Sequence, residues 1–205
     1  MTAVWRVAAT AVATASLALA AASPGADIPA SPGISRTAAD ACNTKLLRLQ
    51  SFPAQPEGAK KQTTQFSEAE VNSYLALELS AKYHPSLKSL QVRFKDPLLE
   101  GTATIDFDQL GMSAKGMFAR LFAWLFSGTH KLNVRGRLRT VGGKGNFELD
   151  EAQFDSTTLP NFLVEEVITA VGRKQKPPFD PMKPSQLPWS IDHVDVRAGQ
   201  IVVHQ

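Results

Sequence analysis

The chain has 205 residues, with 22 Lys and Arg against 19 Asp and Glu, a formal charge of +3. That balance is too mild for a nucleic-acid binder working through bulk charge. The single cysteine, Cys42, excludes an internal disulfide, so an apolar core must hold the fold unaided.

Residues 1–22 read as a cleavable secretory signal peptide. Arg6 supplies the positive start, Val7 to Ala20 an uncharged apolar stretch, and Ala20-Ala21-Ala22 the small residues for cleavage near Ala22. The apolar stretch is shorter than the roughly 20 residues of a spanning helix, although a retained anchor is the alternative. Cleavage removes one basic residue, leaving 21 against 19 and a net +2. The expected location is periplasmic or secreted. Residues 23–62 are expected to form a leader, a short helix and a linker, and 63–205 a single α+β domain.

The leader, SPGADIPASPGISR, is small, polar and rich in Pro and Gly. A first helix is expected over Thr37 to Gln50, then a loop over 52–62. Ser67-Glu68-Ala69-Glu70 is a capping box, and Phe66 with Val71 can staple the helix entry. The helix it opens carries Val71, Tyr74, Leu75 and Leu79 at spacings of three and four and stops before Pro85.

Beyond it the period changes from 3.6 to 2. Leu90, Val92 and Phe94 alternate with polar residues, Asp96-Pro97 turns the chain, and Gly101, Ala103, Ile105 and Phe107 alternate on the return. A second, longer hairpin turns at Gly142 to Gly145. Leu132, Val134 and Leu138 face one way, and Phe147 and Leu149 answer in phase. Ala152 and Phe154 then follow in the opposite phase, which predicts a β-bulge near Asp150-Glu151. A helix is expected from Pro160 to a stop at Gly172. A proline-rich loop leads to a last hairpin, Ile191 to Arg197 and Gln200 to His204, turning at Ala198-Gly199. The expected order is α-α-β-β-α-β-β-α-β-β: an α+β fold with a mainly antiparallel curved sheet of hairpins and about four helices packed on one face.

Chemistry has few handles. His84, His130, His193 and His204 lie in no nucleophile or zinc signature, and no G-x-S-x-G elbow occurs. Asp192-His193-x-Asp195 and Asp106-x-Asp108 read as solvated strand faces, and Gly142-Gly143-Lys144-Gly145 as a turn rather than a phosphate loop. No catalytic residue, metal or cofactor is expected. A hydrolase remains only as a third reading.

Two features stand out. Lys131, Arg135, Arg137 and Arg139 share a strand face, either neutralised by Glu148 and Asp150 across the hairpin or open to an anionic headgroup. The run MFARLFAWLF, residues 117–126, is apolar nearly all round, where an amphipathic helix would show a polar side. Buried core, lipid contact and interfacial contact all suit such a segment.

The runs FSEAEVNSYLALEL, GTATIDFDQL, GTHKLNVRGRLRT, GKGNFELDEAQFDSTTLPNFLVEEVI and LPWSIDHVDVRAGQIVV, spanning residues 64–204, resemble a family of uncharacterised exported bacterial envelope proteins. More distantly, the S-E-x-E-x-N-x-Y-L helix start before long strand pairs is similar to YpmS-type proteins and to the tubular lipid-binding (TULIP) architecture, though the chain is short for a full module. That resemblance implies an apolar groove between sheet and helix and supplies no catalytic residues.

The leading expectation is an envelope protein binding a lipid or other apolar ligand between sheet and helices, with contact to a membrane surface and none to nucleic acid. Phe118, Leu121, Phe122, Trp124, Leu125 and Phe126 would line or guard the groove, and Trp189 its rim. The alternative is a non-enzymatic interaction module with a packed core, acting through an edge strand or the basic face.

Overall fold

The computed structural model describes residues 33–52, 61–110, 127–155, 157–176 and 178–205. The expected signal peptide and the 117–126 run lie outside them.

Helix α1 (Arg36–Ser51) opens at Ser35, whose hydroxyl accepts from the Ala38 N–H. A short strand, β1 (Thr63–Ser67), follows where the sequence suggested loop running into helix. Its five residues alternate exposed and buried, with Thr64 and Phe66 inward. Helix α2 (Glu68–Tyr74) starts on the capping box. Ser67 Oγ accepts from the Glu70 N–H, and Glu70 Oε2 accepts from the Ser67 N–H at 2.8 Å. The helix widens into a π turn over Leu75–Leu79 and ends in a 3-10 turn at Ser80–Lys82. Val71, Tyr74, Leu75 and Leu79 are all buried, as the 3.6 period requires.

Strands β2 (Leu87–Lys95) and β3 (Leu98–Asp106) form the first hairpin, followed by a single helical turn, α3 (Phe107–Leu110). Phe107 therefore belongs to α3 rather than to the strand. Strands β4 (Thr129–Val141) and β5 (Lys144–Phe154) form the second hairpin around Gly142-Gly143. Both glycines have positive φ, 56° and 72°, the conformation a two-residue hairpin turn demands. The turn is two residues rather than four, since Lys144 and Gly145 already pair with Val141 and Thr140. Arg135 faces Glu151 but Gly136 faces Leu149, leaving Asp150 as the extra residue of the expected bulge. A Cβ on Gly136 would stand 2.1 Å from the Glu148 carbonyl oxygen, so this approach of β4 to β5 admits glycine alone.

After β6 (Thr157–Thr158), helix α4 runs Asn161–Lys174, capped by Pro160. Gly172 does not stop it. The helix continues two residues further, and Gly172 instead accommodates Phe179, whose carbonyl oxygen would lie 2.6 Å from a Cβ there. Strand β7 (Ser185–Gln186) pairs with the start of β5, and β8 (His193–Arg197) and β9 (Gln200–His204) close the chain as a hairpin.

The result is α+β with every strand pair antiparallel, in two sheets rather than one. One has the order β1-β9-β8 and the other β2-β3-β4-β5-β6, with β7 also on β5; neither closes on itself. Thr140 ties them together, its hydroxyl donating to the Val194 carbonyl and accepting from the Val194 N–H. One core cluster gathers α1, α2 and the smaller sheet around Phe66, Leu75 and Ile201. A second lies between α4 and the larger sheet around Ile105, Phe107, Leu132, Phe154 and Val164.

Candidate functional site

Side chains alternate across a strand, and the register carries that alternation straight across the larger sheet. Leu90, Ala103 and Leu132 line up on the inner face, and beside them Val92, Gly101 and Val134. In both rows β3 contributes the smallest member. A glycine and an alanine on β3 leave a shallow gap between the larger side chains of β2 and β4.

That space is a groove of about 170 Å³, floored by β2 to β5 and roofed by Ile168, Val171 and Gly172 of α4 and by Phe179 and Pro181. Leu87, Leu99, Ile105 and Phe147 complete an almost wholly apolar lining. The two polar side chains that reach it are both engaged. The Tyr83 hydroxyl donates to the Leu75 carbonyl at 3.2 Å, and burial pushes its pKa upward. Gln175 is 4% exposed; its Oε1 accepts from the His84 N–H and its Nε2 donates to the Val171 carbonyl. The described lining thus offers dispersion contact and apolar burial, with both of its polar side chains already hydrogen-bonded. By volume it matches engineered apolar cavities of roughly 150 Å³ that stay dry and take up benzene, which is room for one ring or a few methylenes.

No family model, curated protein or solved structure matches the chain.

The residues expected to line the groove, Phe118, Leu121, Phe122, Trp124, Leu125 and Phe126, fall outside the described residues. Trp189 is not on the groove. It packs against the first core cluster, and its carbonyl accepts from Gln205 Nε2. Among the described residues the lining comes largely from regular inward positions of β2 to β5, which in sequence look like ordinary core.

The opposite face of the larger sheet is a polar basin of about 680 Å³ that includes Asn72, Arg93, Thr102, Asn133, Arg135 and Gln153. The basic stripe on this face, of which Lys131 and Arg135 reach the basin, is largely neutralised. Arg135 pairs with Glu151 at 2.6 Å, Arg137 with Asp150 at 3.0 Å and Arg139 with Glu148 at 2.7 Å. Hydrogen bonding to Glu148 raises the Arg139 pKa further. Lys131 donates its backbone N–H to Asp155.

Three of the histidines have carboxylate partners. His130 Nδ1 meets Asp155 Oδ2 at 2.5 Å and Nε2 meets the Ser127 carbonyl at 2.7 Å, with the ring against Phe154 and Phe107. His193 and His204 stack across the last hairpin beside Asp195. Among the described residues no helix is long and apolar enough to cross a membrane.

Proposed function

We propose that this is an exported envelope protein that holds an acyl chain or another apolar ligand in the groove beneath α4. The observation that carries the reading is the groove's lining: apolar on sheet, helix and loop, with both polar side chains already satisfied. Burying hydrocarbon there yields about 25 cal/mol per Å² and requires no polar motif. The volume fits part of a chain, so the rest of a lipid would extend from the opening, in keeping with a carrier that also meets a membrane surface.

The interaction-module reading leaned on a free edge or on the basic face. The Asn72 and Glu68 side chains occupy the β2 edge, Thr140 occupies β8, and carboxylates pair three of the four basic residues. These pairings favour ligand binding, and the outer edges of β1 and β6 remain for the alternative.

The test is native mass spectrometry of protein purified without detergent from cells expressing the full chain, with organic extraction of the same sample. A stoichiometric lipid is expected in the wild type. It should be lost in Ala103→Phe, whose ring fills the groove, while circular dichroism confirms that the variant folds. Overpacking costs about 1–3 kcal/mol, so Ala103→Leu provides a milder filler. A clean apo mass with no uptake of added lipid would sink the proposal.

A further inference from the structure

A tight turn at Ala198-Gly199 sets Arg197 opposite Gln200, and four residues back along each strand His193 stands opposite His204. Asp195 lies two residues from His193 and so on the same face of β8. Their ligand atoms, two imidazole nitrogens and a carboxylate oxygen, all lie within 4.8 Å of one another. The two rings are parallel, 8° apart in plane and 4.1 Å between centroids. His204 Nε2 is 3.2 Å from Asp195 Oδ2.

What lies behind the rings matters as much. His193 Nδ1 is 2.7 Å from Asp192 Oδ2, and His204 Nδ1 is 3.4 Å from Thr63 Oγ1 on β1. Each imidazole therefore has an oxygen partner on its Nδ1 side. Metal-binding histidines are oriented in just this way, one ring nitrogen held by a carboxylate or other oxygen while the second faces the ion.

The geometry points to a site for a divalent transition-metal ion of the zinc class, bound by His193 and His204 through Nε2 and by Asp195 through its carboxylate. Two imidazoles and one carboxylate form a donor set that suits zinc, with water completing the shell. An ion about 2.1 Å from each ligand in a tetrahedral shell holds the ligands about 3.4 Å apart. The present spacing closes to that by rotation of three half-buried side chains, with the stacked rings splaying so that their lone pairs converge. With Nε2 on the ion, Nδ1–H of His204 is the group left to donate to Thr63 Oγ1. Arg197 Nη2, 3.5 Å from Asp195 Oδ2, must swing away, and an exposed pair of that kind holds weakly. Bound there, the ion clips β8 to β9 across the open face of the smaller sheet.

Untagged protein from the full chain, titrated with zinc chloride by calorimetry after treatment with a chelator, tests the site. One ion per chain is expected. His204→Gln and Asp195→Asn should each weaken binding at least tenfold, and His130→Gln, remote from the site, should leave it unchanged. The Co(II) form should show visible absorption that disappears with His193→Gln. Absence of 1:1 binding in the wild type, or equal affinity in His204→Gln, would overturn the assignment. Either result is independent of whether the groove holds lipid.

Discussion

The side-chain amide of Asn72 satisfies both backbone groups of Val92. Nδ2 donates to the Val92 carbonyl and Oδ1 accepts from its N–H, each at 2.8 Å. Two positions along, Glu68 Oε2 accepts from the Phe94 N–H at 2.9 Å. An exposed β-edge is a template for pairing with other chains, and α2 blocks this one with side chains rather than a further strand. Asn72→Ala would leave the Val92 groups unpaired and is expected to cost about 2 kcal/mol in urea denaturation. Light scattering should also show stronger self-association. A variant as stable and as monodisperse as the wild type would show the edge to be protected by other means.

Thr64 offers the reverse case. It is 5% exposed, and its hydroxyl has no hydrogen-bond partner among the described residues. Valine has nearly the same shape and no hydroxyl to desolvate. Thr64→Val should therefore raise stability by about 1 kcal/mol, read as a higher denaturation midpoint at unchanged slope.

Cys42 sits 2% exposed beneath α2, and burial pushes its pKa up to about 12, with Glu70 adding to the effect. Only the thiolate reacts, and at pH 8 a group with that pKa is ionised roughly once in ten thousand. Labelling with an aromatic disulfide reagent should be negligible in the native protein and rapid in denaturant. Fast native labelling would contradict this.

His130 and Asp155 tie stability to pH. Burial pulls the His130 pKa down, but hydrogen bonds to Asp155 and the Ser127 carbonyl outweigh it, and the net shift is upward from 6.5. Asp155 is held below 3.8 by the Lys131 N–H first and His130 second. The His130 contribution is complete below pH 6.5 and is lost as pH rises through its higher folded value. The Asp155 contribution is complete above 3.8 and is lost as pH falls through its lower folded value. The pair is therefore at full strength between about pH 4 and 6.5. Their side chains are 20% and 54% exposed, so solvent limits the effect to about 1 kcal/mol or less. The stability gap between wild type and His130→Gln should narrow from pH 6 to pH 9. A gap that stays constant would show that His130 contributes packing alone.

Local rules carried much of the fold into the sequence. The capping box at Ser67, the stripe from Val71 to Leu79 and the shifted phase at Asp150 each depend on neighbours a few residues away. Strand β1 escaped because five residues with two inward side chains make a faint pattern, and its partner lies far along the chain, Thr63 pairing with His204. Gly172 was misread because a glycine near a helix end fits both a stop and a close approach, and only the position of Phe179 separates them. The groove left one trace, Gly101 and Ala103 among bulkier inward residues, while its depth depends on how α4 lies across the sheet. The histidine pair could have been found by counting back from the Ala198-Gly199 turn. Read one strand at a time, His193 and His204 look unrelated.

The order β1-β9-β8 has a consequence for the order of folding. Strand β1 pairs with residues 200–204, far along the chain, so the smaller sheet forms only after that long stretch has been brought together. Until then Phe66 has no Ile201 to cover it. The folding chain passes that interval with β1 unpaired, and the sheet zips shut once β9 reaches it. Joining the strands across so long a loop makes this step slow relative to the two central hairpins, whose strands are joined by short turns.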